Sequence, residues 1–325
     1  MIYRFPAESA YLPRTKLSYV NLPGILSDGK RDRQARVPGF VCVQLGERCF
    51  LVFLRGGEPF FAAKLTPAGR GPAALSEVLR LCATESERGE GGQIGYYGAT
   101  EEQLKAMLAT LVAEPLPWPE PLEAARPERL FPQLRERGFT GVLELTDGER
   151  HHYLHFDEGS FRTGWFAERD ASVAIPDFLR TVFAAGATLK AVPFAGLDAL
   201  PVQAGPGLVD LYRRMIGGTL RELALSAGRE TALGMLQAGQ QVAAREYPVI
   251  AAFDITPEGR VAGDPVSSPE GLTDGVAAWI TEVLINAADH HGVDPGAMIE
   301  KVGRDSRFVL QEHGFFARLP WALAI

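Results

Sequence analysis

The feature that most constrains this chain is an order of strands, turns and a helix that occurs twice, on either side of a proline-rich segment. In the first half, turns at 46–47 and 55–58 separate three apolar stretches, and residues 73–82 then follow with helical periodicity. In the second half, Asp147-Gly148 and Glu158-Gly159 separate the same kinds of elements. Because such a duplication fixes the architecture, the sequence predicts two copies of one small sheet-plus-helix module.

Identical or similar residues at corresponding positions of the two halves support this duplication, and the matched residues are 99 to 102 positions apart in the sequence. Insertions in turns account for this variation in spacing. The matched pairs are Gly39-Phe40 with Gly138-Phe139, Gly46-Glu47-Arg48 with Gly148-Glu149-Arg150, Val52-x-Leu54-x-x-Gly57 with Leu154-x-Phe156-x-x-Gly159, and Val78-Leu79-Arg80 with Phe178-Leu179-Arg180.

The fold class that we predict is α+β, with two tandem small antiparallel-sheet-plus-helix modules followed by a mixed α/β C-terminal domain. Five prolines between 115 and 127 stiffen the chain and indicate a linker, in which Trp118 is expected to pack on a neighbouring domain. The predicted boundaries are a degenerate module at 1–113, a linker at 114–128, a module at 129–198 and the C-terminal domain at 207–325.

Within the C-terminal domain the sequence predicts helices and one strand, followed by a turn at 257–259 and a return strand that begins at 260–262. The two adjacent glycines Gly217-Gly218 are expected to break the first helix, since each costs about 1 kcal/mol relative to alanine. The predicted helices are 208–227, 229–237, 272–289 and 295–302, and the strand is 247–255.

Charge and hydropathy exclude several classes of protein. The formal net charge is −7, which argues against a general nucleic-acid binder because phosphate recognition requires cationic surface. The N-terminus lacks a signal-peptide apolar run, and no stretch approaches the ~20 apolar residues that cross a bilayer. We therefore expect a cytoplasmic protein with no membrane insertion.

The three cysteines, Cys42, Cys49 and Cys82, fit neither a zinc motif nor a disulfide-rich secreted fold. We expect them to be buried and reduced, because free cysteine is among the most buried residue types. The positions of Cys42 and Cys49 would also allow them to pair across a hairpin.

Two histidine clusters raise the question of a metal site. On a strand, His151 and His155 share one face while His152 points to the other, and the spacing matches no standard site. We expect exposed strand histidines and no metal, although the sequence leaves zinc binding open. Asp289-His290-His291 has the letters of a phosphoesterase motif, but its position before Gly292 favours the capped end of a helix.

The second module resembles a known family. Its pattern Gly141-Val142-Leu143-x-Leu145, followed by Tyr153-Leu154-x-Phe156-x-x-Gly159-x-Phe161, is similar to the PATAN family, named for the N-terminal part of cyanobacterial PatA-like response regulators. Thr140-Gly141 stands where that family has Thr-Gly, whereas Gly164-Trp165 replaces its expected small residue. The resemblance covers about 128–198, with a degenerate copy at about 15–112. It implies bacterial signalling, polarity or motility and protein contacts, without catalytic residues.

We therefore expect a non-enzymatic bacterial signalling or scaffold protein that binds another protein, such as a signalling or polarity component or a second copy, and requires no cofactor. The expected interaction residues are Glu158, Gly159, Phe161, Trp165 and Phe166, although aromatic residues there would equally suit a core. The alternatives are a sensor that binds a small ligand between the modules and an enzyme with its site in the C-terminal domain. A pocket with converging polar groups would favour these alternatives, and a broad exposed apolar patch would favour the scaffold.

Overall fold

The computed structural model describes residues 2–22, 24, 26, 38–89, 91–119, 122–124, 126–170, 172–184, 189–256 and 258–321. The chain forms two compact units. The N-terminal unit comprises residues 1–73 and 78–201, and the C-terminal unit comprises 74–77 and 202–325. The elements include helices and antiparallel sheets, which confirms the α+β class.

The first module contains a six-stranded antiparallel sheet. Its strands lie in the order β1, β6, β2, β3, β4, β5. The two central strands β2 and β3 are buried on both faces, which explains why their sequence is nearly continuously apolar. The strands are β1 (Ser9–Lys16), β2 (Gly39–Leu45), β3 (Arg48–Arg55), β4 (Glu58–Thr66), β5 (Gly69–Pro72) and β6 (Gln93–Gly98).

Two helices belong to the same part of the chain. Helix α1 (Leu75–Arg88) connects β5 to β6, and α2 (Glu101–Val112) follows β6. The Thr100 hydroxyl caps α2 by accepting a hydrogen bond from the Gln103 amide. The side chains of Leu104, Met107, Leu108 and Leu111 on α2 are buried, as their helical spacing predicts.

The second module is a four-stranded antiparallel sheet in the order β10, β7, β8, β9. Trp118, in the proline-rich segment before it, packs edge-on against Phe139. The elements are α3 (Pro127–Glu136), β7 (Gly141–Thr146), β8 (His151–Asp157), β9 (Ser160–Phe166), α4 (Ile175–Ala184) and β10 (Lys190–Phe194).

Equivalent strands pair in the same register in each of the two sheets. Gly39 pairs with Leu54 in the first sheet, and Gly141 pairs with Phe156 in the second, so the same pairing recurs 102 residues later. Both sheets also have a register shift at the equivalent place, after Phe53 and after His155. Strands β6-β2-β3-β4 therefore correspond to β10-β7-β8-β9.

This correspondence corrects one sequence match. Gly39 is equivalent to Gly141 and not to Gly138, because Gly138 precedes the strand and Gly141 begins it. The matches at the turns after β2 and β3 keep the spacing of 102 residues. Gly57 and Gly159 both have positive φ, of 80° and 74°, which a tight turn requires and glycine tolerates.

One hydrophobic core joins the two modules. It contains Cys42 and Leu51 from the first sheet, the apolar face of α2, and Val142 and Tyr153 from the second sheet. Since Leu51 and Tyr153 are equivalent by the repeat, each module contributes the same sheet face to this shared core. The opposite face of the second sheet packs on α3 and α4.

The C-terminal unit is built mainly from helices around one core. The buried indole N–H of Trp279 donates to the Leu236 carbonyl at 2.8 Å. Gly292 ends α7 in a left-handed conformation, as the sequence predicts. The elements are α5 (Pro206–Ala227), α6 (Arg229–Glu246), β11 (Asp254–Ile255), β12 (Val261–Ala262), α7 (Pro269–His291), α8 (Pro295–Gly303) and α9 (Arg307–Glu312).

Three predictions for this unit are wrong in detail. Helix α6 continues to Glu246, beyond the predicted end at 237. The predicted strand 247–255 is a 3-10 helix at Pro248–Ala252 followed by a two-residue strand, because Gln240 donates to the Ile250 and Phe253 carbonyls and holds the segment in a turn. Helix α5 continues through Gly217-Gly218, where the missing Cβ of Gly218 makes room for Val302. Packing at this contact outweighs the low helix propensity of glycine.

Among the described residues, no helix combines the length and apolar character required to cross a bilayer.

Candidate functional site

The sheet faces that meet in the shared core carry two equivalent polar pairs. In the first module, Cys42 and Cys49 lie diagonally across β2 and β3. In the second module, Glu144 and His151 lie at the same diagonal across β7 and β8. All four residues are at most 5% exposed, so each pair must satisfy its polar atoms within the protein.

The two cysteine sulfurs are 3.5 Å apart. A hydrogen bond from Cys49 lowers the pKa of the Cys42 thiol, and the nearby Arg14 guanidinium acts in the same direction against the effect of burial. Burial raises the pKa of the Cys49 thiol well above its usual value, and its hydrogen bond to Cys42 adds to the rise. Cys42 is therefore the more acidic sulfur, and Cys49 remains its S–H donor.

Glu144 is the centre of a buried ion-pair cluster. Its Oε1 atom accepts hydrogen bonds from Arg70 at 2.5 Å and from His151 Nδ1 at 2.8 Å. Burial alone would raise the pKa of the Glu144 carboxyl, but the hydrogen bonds from His151 and Arg70 outweigh it and lower that pKa. Because a carboxylate only accepts, the Nδ1 atom of His151 carries the hydrogen.

The N-terminal segment covers His151. The ring of Phe5 stacks on the imidazole with centroids 5.0 Å apart, and the His151 amide donates to the Arg4 carbonyl. Within the part of the chain that the structure describes, His151 Nε2 and Glu144 Oε2 are buried without a hydrogen-bond partner. The cluster therefore carries an electrostatic cost that Arg70 only partly offsets.

A cavity of about 560 Å³ opens between the N-terminal segment, strands β2 and β6, and the end of β9. Residues of both modules line it, which is the location that the sensor alternative requires. Aromatic rings form much of the wall: Tyr3, Phe5, Phe40, Tyr97 and Phe166.

Among the charged residues that line the cavity, arginines outnumber glutamates. Arg4, Arg14 and Arg169 line it together with Glu8 and Glu168. Arg4 pairs with Glu168 at 2.6 Å, and both side chains are about half exposed. Arg169 donates to the Val173 carbonyl.

Arg14 differs from the other two arginines in its partners. It is half-buried and donates to the Tyr3 carbonyl at 2.7 Å, and it also hydrogen-bonds the side chains of Cys42 and Tyr97. In the described residues, no carboxylate lies within ion-pair distance of Arg14. Its guanidinium is therefore a site of positive charge at the cavity wall.

The residues expected to form an interaction surface do not share one environment. Glu158 is exposed and adopts a φ of 48°, while Gly159 is buried so closely against Arg135 that a Cβ would collide with its backbone. Phe161 is 37% exposed on β9, an edge strand of its sheet. Trp165 packs partly into the shared core, and Phe166 is buried.

The expectation of exposed strand histidines is wrong for two of the three. His151 and His152 are buried on opposite faces of β8, and His155 is half-buried. His152 accepts a hydrogen bond from the Ala167 amide at its Nδ1 atom. The described residues contain no group of three or more side chains of the types that hold a metal ion.

Sequence reasoning missed the arginines of both clusters. Arg14 and Arg70 lie in strands whose local sequence carries no signal for a buried charge. Glu144 offered a weak signal, since it interrupts an apolar strand, but alternation alone does not show that its face of the strand is buried. Only the packing of the second module against the first makes that face interior.

Comparisons with known proteins add no relative to this description: no family model, curated protein or solved structure matches the chain.

Proposed function

We propose that this protein is a bacterial signalling protein whose N-terminal unit senses a small aromatic anion in the cavity between its two modules. The observation that carries the proposal is the environment of Arg14: its half-buried guanidinium lies at an aromatic cavity wall, has hydrogen-bond partners and, among the residues that the structure describes, pairs with no carboxylate. The PATAN resemblance supplies the signalling context and stays a prediction, as does the cytoplasmic location.

Arg14 suits the anionic end of such a ligand. A guanidinium binds a carboxylate through parallel N–H donors, and these charge-assisted bonds are about twice as strong as neutral ones. The carbonyl of Tyr3 already holds one side of the group, so the side chain is positioned before a ligand arrives. Such preorganisation lowers the entropy that binding costs.

The aromatic walls suit the other end. The ring of Phe40 packs against those of Phe5 and Tyr97 beside the cavity, at centroid distances of 6.2 Å and 5.3 Å. Ring-on-ring packing of this kind contributes about 0.5–1.5 kcal/mol per pair beyond the burial of area. The cavity volume accommodates a molecule the size of a substituted benzoate.

The test is calorimetric titration of the full chain with benzoate, with benzyl alcohol as the uncharged comparison. We expect saturable binding of benzoate and at least about tenfold weaker binding of benzyl alcohol, because only the anion pairs with Arg14. Arg14→Gln should weaken benzoate binding by about tenfold or more. Arg162→Gln, a matched change at an exposed arginine paired with Asp157, should leave it unchanged.

Equal binding of benzoate and benzyl alcohol would reject an anion site. Equal loss of affinity in both arginine variants would show that the effect of Arg14 is not local. Absence of binding by the wild-type chain to benzoate and to phenyl phosphate, a second anion of similar size, would overturn the proposal.

A second candidate is the scaffold function, which the exposed ring of Phe161 on an edge strand favours. A partner, or a second copy of the chain, would dock there beside Glu158. Light scattering after size exclusion tests the second copy: a dimer that Phe161→Ser converts to a monomer supports it, and a wild-type monomer rejects it. The enzyme alternative in the C-terminal domain stays a prediction.

A further inference from the structure

We propose that Cys42 and Cys49 form a two-cysteine oxidation site on the cavity wall, where hydrogen peroxide oxidises the Cys42 sulfur and Cys49 then closes a disulfide. The inference goes beyond ligand binding and does not depend on it.

The geometry assigns the two cysteines different positions. Cys42 lines the cavity, whereas Cys49 is fully buried behind it. Their sulfurs are in contact at 3.5 Å, and a disulfide requires about 2.05 Å. The gap that remains is about 1.5 Å, which side-chain rotation and a small strand adjustment can close.

The second module gives independent support for this diagonal. At the equivalent positions, the Glu144 Oε1 and His151 Nδ1 atoms are 2.8 Å apart. The strand pair therefore brings the side chains at these two positions within hydrogen-bonding distance. The contact between the cysteines is thus a consequence of the repeated sheet geometry.

The environment of the two sulfurs assigns their order of reaction. Arg14 and the Cys49 S–H both favour the thiolate of Cys42, and the thiolate is the form that attacks peroxide. Cys49 is held as a thiol by burial. Cys42 is therefore the attacking sulfur, and Cys49 is the resolving one.

The chemistry balances with peroxide as the oxidant. The Cys42 thiolate attacks one peroxide oxygen, the O–O bond breaks, and sulfenic acid and hydroxide form. The Cys49 sulfur then attacks the sulfenic sulfur, an S–S bond forms, and the sulfenic oxygen leaves as water with the Cys49 proton. The two thiols lose two electrons, which reduce the peroxide to hydroxide and water.

Cys82 provides an internal control. It is buried on α1, and burial raises its pKa to about 12. Within the described parts of the chain, neither a cation nor a second sulfur contributes to the shift of its pKa. Peroxide should leave this thiol reduced.

The experiment treats the folded full chain with hydrogen peroxide, blocks remaining thiols with iodoacetamide after unfolding, and maps tryptic peptides by mass. Trypsin cleaves after Arg48, so the disulfide would join peptides 37–48 and 49–55, while Cys82 is carried on peptide 81–88. We expect the joined pair, lighter by two hydrogen atoms than the sum of its parts, with Cys82 alkylated.

Three variants separate the roles. Cys49→Ala should stop at the sulfenic acid, which dimedone traps on Cys42, and Cys42→Ala should remove peroxide reactivity. Arg14→Gln should slow oxidation severalfold, because loss of the guanidinium raises the pKa of the Cys42 thiol and so lowers the thiolate fraction. Hydrogen exchange of β2 and β3 confirms that each variant is folded.

Several results would overturn the proposal. Unjoined peptides with Cys42 unmodified would show that the site does not react. Oxidation of Cys82 before Cys42 would show that the Cys42–Cys49 pair is not the preferred site of reaction. Over-oxidised Cys42 in the wild-type chain without a disulfide would show that Cys49 does not resolve it. None of these results bears on benzoate binding, so the two proposals fail separately.

Discussion

The buried imidazole of His152 should make the folded protein less stable in mild acid, and a substitution at this position should remove that effect. Its ring packs between Phe166 and Phe178, and its Nδ1 atom accepts from the Ala167 amide, so the folded state holds a neutral imidazole. Burial, assisted by the positive charge of Arg150, lowers the pKa of His152 to about 4 from 6.5.

The sign follows from the lowered pKa. As the pH falls below 6.5, the unfolded chain binds a proton at His152 and the folded chain does not, so the stability of the folded state declines. The decline ends near pH 4, where the folded imidazole is protonated as well. The loss amounts to about 2 kcal/mol at pH 5 and about 3 kcal/mol at pH 4. The side chain is only 2% exposed, so solvent screening leaves this magnitude in place.

Urea unfolding at pH 7 and pH 5 measures the effect, with pulse-labelled hydrogen exchange of β8 peptides reporting on the N-terminal unit. His152→Asn keeps an acceptor near the Nδ1 position and cannot titrate, so its loss between the two pH values should be about 2 kcal/mol smaller than that of the wild type. His152→Gln misplaces the acceptor and should also destabilise at pH 7, by about 1–3 kcal/mol. An unchanged pH dependence in His152→Asn would refute the reasoning.

Two further substitutions test the packing of the modules by urea unfolding. Arg70→Met leaves the buried Glu144 carboxylate with His151 alone and should lower the free energy of unfolding by about 3–5 kcal/mol at pH 7. Adding Glu144→Gln should recover part of that loss. If the effects of the two substitutions simply add, the ion pair is contradicted. Gly141→Ala should lower the free energy of unfolding by about 2–4 kcal/mol, because φ is 149° and the new Cβ meets the Phe194 carbonyl oxygen. The control Gly71→Ala has open space around the new Cβ and should be nearly neutral. Equal effects of the two substitutions would contradict the close approach at Gly141.

Local patterns in the sequence predicted the elements well where the pattern has one interpretation. The alternating and continuous apolar strands of both modules formed as expected, and α2 spans Glu101–Val112, where apolar residues recur at the spacing that predicts a helix. The run 247–255 failed because a short apolar segment is compatible with both strand and turn, and the decision came from the distant Gln240.

The candidate site was less predictable, because it depends on which faces of the two sheets become interior. His152 shows the limit: its strand position was correct, but its burial follows from Phe178 on α4, a contact made across 26 residues of sequence. Likewise, nothing near Arg14 in sequence indicates that its guanidinium reaches Cys42 and Tyr97.

The duplication explains why the buried polar groups occur in pairs. Equivalent faces of the two modules meet in one core, so the side chains at positions 42 and 49 in the first copy, and 144 and 151 in the second, are all buried. A polar group at one position of a pair is tolerated only if the other position supplies its partner.

The two copies meet this requirement with different chemistry. Two thiols satisfy each other weakly and leave a sulfur that can be oxidised, whereas Glu144 and His151 form a charge-assisted bond that needs Arg70 as a third member. Replacing Arg70, Glu144 and His151 together with apolar residues should therefore be far milder than replacing Arg70 alone. A common sheet geometry thus provides one reactive pair and one structural pair at the same core.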